Sequence, residues 1–149
     1  MTAPYRLHAS LGYQLSLAAR IQERRLDDGL RALGLTRITW CVLLAIGNED
    51  LRQPSDIASF VGIDRTATSR ALRQMQSDGL IERGSGTGDR RTRTVQLTAK
   101  GKSLLVQGTP LAQHNNAMME ARLSAVELTQ LRAMLTRLHA GEDAKLARL

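Results

Sequence analysis

Aromatic side chains are nearly missing from this chain: one Trp, one Phe and two Tyr make up 3 % of its 149 residues. A core with so few rings has to be assembled from Leu, Ile, Val, Ala and Met, a set that favours helices. Cysteine is rarer still. The single Cys41 excludes an intrachain disulfide and any multi-cysteine zinc site. The three histidines, His8, His114 and His139, lie far apart, and neither C-x-x-C nor H-x-x-x-H occurs, so no metal and no cofactor is expected. No apolar run approaches the ~20 residues of a membrane span, and the opening MTAPYRLHAS has no signal-peptide apolar region. A soluble cytoplasmic chain, not associated with a membrane, is the expectation. Catalytic signatures are missing as well. There is no G-x-S-x-G and no Walker loop, and GSGTG falls on a hairpin rather than between a strand and a helix, so it lacks the context of a phosphate cradle. The chain does not read as an enzyme.

Acid is also in short supply, and what is present is unevenly placed. The chain has 21 Lys and Arg against 14 Asp and Glu, a formal charge of +7. Between residues 64 and 102, nine bases face four acids, so +5 of the total falls on about a quarter of the chain. Such clustering points to a polyanionic partner, with nucleic acid as the first candidate.

Apolar residues make up 42 % of the chain, enough for a core. The first segment opens with Pro4 near a first-turn position and carries Leu7, Leu11, Leu15, Leu26 and Leu30 at helical spacing, with Gly34 at its end. This predicts roughly 28 residues of helix, too long for one small neighbour to cover. Thr36 is expected to cap a second helix closed by Gly47. Pro54 should start a short third helix ended by Gly62, and Asp64 should cap a fourth ended by Gly79. LIER and TRTVQLT read as two short strands around a Gly-rich turn. Thr98 should cap a fifth helix, which Pro110 is expected to kink or interrupt. Ser124 and Glu127 form the capping box of a last helix. The outer helices carry leucines that the middle of the chain cannot bury.

PSDIASFVGIDRTATSRALRQMQSDGLIER has the layout of a helix-turn-helix. Advancing roughly 100° per residue, Ala67, Thr68, Ala71, Leu72 and Met75 of its second helix fall within one arc of about 140°. Thr66, Ser69, Arg70 and Arg73 lie opposite, with Arg65 at the margin, and no acid occurs from 65 to 77. Hydroxyls and guanidinium groups on one face suit a DNA major groove. The stretch GDRRTRTVQLTAKG then reads as a wing, a hairpin whose basic tip (Arg90, Arg91, Arg93) can lie across phosphates or enter a narrow minor groove. Asp89 would be unfavourable against phosphate unless it orients an arginine through paired hydrogen bonds.

With LTRITWCVLLAI, the helix-turn-helix segment and DRRTRTVQLTAKG in place, nearly the whole chain resembles the MarR family of winged-helix regulators. The most specific element is the wing motif followed by a helix: Asp89, Arg91, Leu97, Thr98 and Gly101. The resemblance implies an α+β, mostly helical fold. In it, residues 1–35 and 99–149 supply long dimerisation helices and residues 36–98 form a winged helix-turn-helix DNA-binding domain. It further implies a homodimer on a pseudo-palindromic operator in double-stranded DNA, acting as a transcriptional regulator and expected to be a repressor. Arg91 would contact the minor groove with Asp89 bracing it, and Arg90 is a second candidate. Arg65, Thr66, Thr68, Ser69, Arg70 and Arg73 would serve the recognition helix, Thr68 from the edge of the core face. Release by a small aromatic or phenolic ligand is also implied, with His8, Tyr13, Arg20 and Trp40 as candidate pocket residues. Trp40 reads equally as core. Cys41, between Trp40 and Val42, sits in an apolar setting that raises a thiol pKa and disfavours redox sensing. Two other readings share the basic patch: a non-specific architectural DNA-binding protein, and a scaffold that no longer binds DNA.

Overall fold

Order along the chain is the simplest guide to the computed structural model, which describes residues 1–85 and 93–142. A short 3-10 turn, Leu7–Ala9, precedes α1 (Leu11–Arg31), then come α2 (Arg37–Gly47), α3 (Pro54–Val61) and α4 (Arg65–Ser77). Strands β1 (Ile81–Ser85) and β2 (Arg93–Leu97) form an antiparallel hairpin in which Ile81 faces Leu97 and Arg83 faces Val95. The helices α5 (Ala99–Glu120) and α6 (Ala125–His139) follow. The fold is α+β and mostly helical, a winged helix between long outer helices.

Cap chemistry sets most of these boundaries. The Thr36 hydroxyl accepts from the Thr39 amide, while the Thr39 hydroxyl accepts from the Thr36 amide, a reciprocal box at the head of α2. Asp64 accepts from the Ala67 amide at 2.7 Å and Thr98 from the Gly101 amide at 3.1 Å. Ser124 and Glu127 exchange bonds in the same way at the head of α6. Gly62 and Gly79 take φ of 78° and 73° just past the ends of α3 and α4, a backbone conformation that a side chain disfavours.

Two expectations, on Pro4 and Pro110, need correction. Pro4 does not open α1: Ser10 does, accepting from the Tyr13 amide, which shortens the helix to 21 residues. Gly47 closes α2 as expected, as its last helical residue. A Cβ there would meet Leu105 Cδ2 at 2.3 Å, so this glycine serves close packing on α5. Pro110 lies inside α5 without ending it. It stands on the exposed side of the helix, where water can serve the carbonyl that proline leaves without a donor.

The core sits in the middle of the chain. Trp40, Leu43 and Ile46 of α2, Ile57 of α3, Leu72 and Met75 of α4, and Ile81, Val95 and Leu97 of the hairpin are all buried, joined by Leu30 from α1. A backbone bond from the Val95 amide to the Arg52 carbonyl, 2.9 Å, ties β2 to the loop before α3. Arg37, the first residue of α2, holds α1 through Nε to Asp27 Oδ1 and Nη1 to Glu23 Oε1, both 2.9 Å.

At the base of the hairpin a Cβ on Gly101 would come within 2.2 Å of the Leu80 carbonyl oxygen. Backbone cannot yield as a side-chain tip does. Gly101→Ala should therefore lose about 2 kcal/mol or more of stability in urea unfolding, despite the ~1 kcal/mol that alanine gains over glycine in a helix. A neutral or stabilising result would show that α5 can shift away from Leu80.

Candidate nucleic-acid interface

The helix-turn-helix is built so that α4 has only one way to face. Ala67, Thr68, Ala71, Leu72 and Met75 are buried, and Leu72 and Met75 are completely so. The remaining positions are turned outward. Arg65, Thr66, Ser69, Arg70 and Arg73 are exposed, and none of these five side chains makes a hydrogen bond or ion pair with a described residue. They present three guanidinium groups and two hydroxyls free to meet a ligand.

Thr68 must be removed from that set. It is 1 % exposed, and its hydroxyl donates to the Asp64 carbonyl at 2.9 Å. The arc placed it at the edge of the core face, and the structure resolves that position inward. It acts as part of the helix start, not of the surface.

Of the wing residues, Asp89, Arg90 and Arg91 lie outside the described residues, as does the tip of the hairpin. Arg93 is placed by its backbone, opposite Ser85 at the far end of the ladder. What the structure shows is how the wing is rooted. Thr98 Oγ1 donates to the Gly79 carbonyl at 2.6 Å while accepting from Gly101, and its amide donates to the Leu80 carbonyl at 3.0 Å. Lys100 Nζ reaches the Asp78 carbonyl at 2.9 Å, satisfying the end of α4. One cation outside the expected set, Arg83, stands in β1 opposite buried Val95. Strand alternation carries the signal for it, since Arg83 shares its parity with buried Ile81.

The candidate pocket residues divide. The His8 and Tyr13 ring centroids are 4.9 Å apart, and the Arg20 guanidinium lies 5.8 Å from the Tyr13 centroid. Trp40 does not belong with them. It is 3 % exposed, and its ring fills the space beside Gly108 of α5, so it is core. Burial pushes the Cys41 thiol up from its ordinary value, with Arg37 opposing in the smaller part. No helix among the described residues is long and apolar enough to cross a membrane.

A capped helix presenting an acid-free cationic face, followed by a rooted two-strand hairpin, defines a winged helix-turn-helix protein. Residues 33–92, which hold the helix-turn-helix and the first strand of the hairpin, match the MarR family. Solved structures agree over nearly the full length. A probable transcriptional regulator from Pseudomonas aeruginosa is 28 % identical, with 89 % of this chain and 99 % of that one covered and a TM-score of 0.79. A mutant of Escherichia coli MarR in complex with operator DNA is 24 % identical, covering 92 % and 99 %, with a TM-score of 0.80. BpsR of Bordetella bronchiseptica, whose DNA binding is regulated by 6-hydroxynicotinic acid, is 19 % identical, covering 94 % and 100 %, with a TM-score of 0.84. The chain is a MarR-type transcriptional regulator.

The Asp64 side chain caps the head of α4 by accepting from the Ala67 amide. Asp64→Ala should cost about 1 kcal/mol in urea unfolding. Unchanged stability would mean that water serves the Ala67 amide equally well.

Proposed function

We propose that this protein is a sequence-specific, homodimeric DNA-binding repressor acting in the cytoplasm. Residues 36–98 read an operator, and residues 1–35 and 99–149 join two copies. The observation that carries the reading is the outward face of α4, five exposed polar or cationic side chains with no acid among them. Arg65, Thr66, Ser69, Arg70 and Arg73 meet the major groove, with arginine suited to paired hydrogen bonds to guanine. The wing residues Asp89, Arg90, Arg91 and Arg93 meet the adjoining backbone or minor groove. We assign the protein no catalytic step.

Dimerisation is supported by what the single chain leaves uncovered. Helix α6 buries none of its residues, and α1 buries only Leu30. Leu11, Leu15, Leu131, Met134, Leu135 and Leu138 line an open groove of about 450 Å³ whose walls are mostly apolar. A second copy laid over these helices would remove that surface from water. It would also set two recognition helices about one DNA turn apart, roughly 34–36 Å, as a pseudo-palindrome requires. Leu135→Glu should shift the protein from dimer to monomer in light scattering after gel filtration. A dimer that survives would place the interface elsewhere.

Effector control is supported by the cluster of His8, from the turn before α1, with Tyr13 and Arg20 of α1. An exposed cation over an aromatic ring, with a second ring beside it, suits a small aromatic or phenolic anion. BpsR offers a precedent for such a ligand. Displacement would follow if the ligand rotates the DNA-binding units relative to the dimer helices.

The test is fluorescence anisotropy with duplex DNA from upstream of the protein's own gene, alongside a shuffled duplex. Strong preference for the native duplex is expected. Arg91→Ala should weaken binding several-fold or more with the fold intact, while Arg70→Ala should lose about 1–3 kcal/mol of discrimination at one base position. Equal, steeply salt-dependent binding to both duplexes would favour a non-specific architectural protein instead.

A further inference from the structure

Asn115 is the last buried residue along α5, with 6 % of it exposed. It stands where α1 and α5 leave the core together. On the core side, Gly108 of α5 takes the Trp40 ring and Leu30 anchors α1. On the other side, no further described residue of α5 or α6 is buried, and Leu30 is the one buried residue of α1. An apolar side chain would suit such a seam. The chain places an amide there instead and meets only half of it. Asn115 Nδ2 donates to Gln22 Oε1 of α1 at 3.1 Å, while Oδ1 is enclosed and has no hydrogen-bond partner.

Arg25, one turn after Gln22 on α1, has an enclosed Nε that also lacks a partner. Its outer nitrogen Nη1 reaches Met118 Sδ, one turn after Asn115 on α5, at 3.7 Å. None of the ion pairs among the described residues includes Arg25. Gln22 meets Asn115 and Gly29 lies against Leu111, so the two helices run antiparallel and Arg25 is level with Asn115. One enclosed donor and one enclosed acceptor thus share a level of the same seam, unjoined. A half-satisfied buried network is less favourable than an apolar one. A small slide of α1 along α5 offers a second arrangement, with Arg25 Nε donating to Asn115 Oδ1.

Such a slide has a defined consequence. Helix α1 is fastened to α2 by Arg37 with Glu23 and Asp27, and α5 starts at the root of the hairpin through Thr98. The helix-turn-helix unit is therefore carried on two struts, and moving one along the other tilts it. We propose that Gln22, Arg25 and Asn115 are positioning residues for DNA binding. They form a polar hinge whose two hydrogen-bond arrangements set the tilt of each DNA-binding unit, and so the half-site spacing that the dimer accepts. Two discrete packings of similar free energy are what a bistable element requires. The inference rests on the dimeric DNA-binding reading and names where in the fold that dimer adjusts.

The experiment uses full-length wild type, Arg25→Met, and Gln22→Met combined with Asn115→Leu. Anisotropy is measured across a salt series on the duplex from upstream of the gene and on versions lengthened at its centre by one or two base pairs. Each added pair moves the half-sites apart by about 3.4 Å. Arg25→Met keeps the Gln22–Asn115 bond but removes the second arrangement, and the double variant removes both. On the two-pair insertion each variant should lose roughly tenfold more than wild type, relative to its own affinity for the unaltered duplex, the size of a typical coupling. The slope of log affinity against log salt should stay that of wild type, because no phosphate contact is lost. The double variant should melt higher than wild type, since an apolar pair replaces a half-met polar one. Arg25 is only half-buried, so Arg25→Met decides the matter even where the double variant fails to fold. A spacing profile in Arg25→Met identical to that of wild type would overturn the hinge alone. So would a loss of equal size at every spacing, which would assign these residues to fold stability, or a lowered salt slope, which would put Arg25 on DNA. Wild type binding none of the duplexes would overturn this inference and the DNA-binding reading together.

Discussion

The hydroxyl of Thr98 holds together the elements proposed to approach DNA. It donates to the Gly79 carbonyl just past α4 and accepts from the Gly101 amide at the start of α5, while the Thr98 amide donates to Leu80 at the start of the wing. Helix α4, the hairpin and α5 therefore meet at one residue. Gly101 belongs to the same junction, since any Cβ would strike the Leu80 carbonyl. Lys100 adds a bond from its ammonium to the last turn of α4. The L-T-A-K-G sequence is a joint, in which each polar group consumes a backbone group that the helix ends would otherwise leave unpaired. A wing rooted this way shares the orientation of α4, so the two can present charge to one duplex at a set spacing.

A second fastening lies at the other end of the core. Arg37 stands in the first turn of α2, where a cation is disfavoured by the partial positive charge of the helix start. Glu23 and Asp27, one turn apart on α1, reverse that balance. Two carboxylates four residues apart would repel each other. The arginine resolves both problems at once, and all three side chains are partly sheltered, which limits screening. A rotation of α1 must therefore carry α2 with it or break this cluster. Trp40 seated against Gly108 makes the matching contact between α2 and α5. Movement at the outer helices thus reaches the DNA-binding unit through a few named contacts.

Legibility in the sequence followed the range of the interaction. Thr36, Asp64, Thr98 and Ser124 announce helix starts because a cap is settled within three residues. The polar and apolar faces of α4 were readable from period alone. Errors arose where a residue's role depends on something distant. Pro4 has the character of a helix-opening residue, yet Ser10 is the one with an amide in reach. Gly47 does end α2, but its contact with Leu105, far along the chain, could not be read from the sequence. Pro110 breaks a helix only if the freed carbonyl has no substitute donor, and that depends on which side faces water. Thr68 sat at the edge of an arc, and only the packing of α4 decides an edge. Arg83 shows the same limit from the other side: its strand parity is visible, but its unpartnered Nε is a property of the assembled hairpin.

The chain separates two physical tasks along its length, and the separation constrains how it can work. Its excess charge falls on the middle segment, where the core is also best formed. Its uncovered leucines fall on α1 and α6, which bury almost nothing by themselves. Apolar association is strong but non-directional, whereas contacts to phosphate and base edges are directional and weaken with salt. On the proposed function, joining copies through the first kind of surface and reading DNA through the second would keep them from competing, since salt that loosens one leaves the other in place. The two tasks would then communicate through the junctions that connect them, among them Arg37 with its two acids, Trp40 against Gly108, and Thr98 at the root of the wing. A ligand at α1 would act on DNA binding by straining those junctions, without having to touch the cationic face.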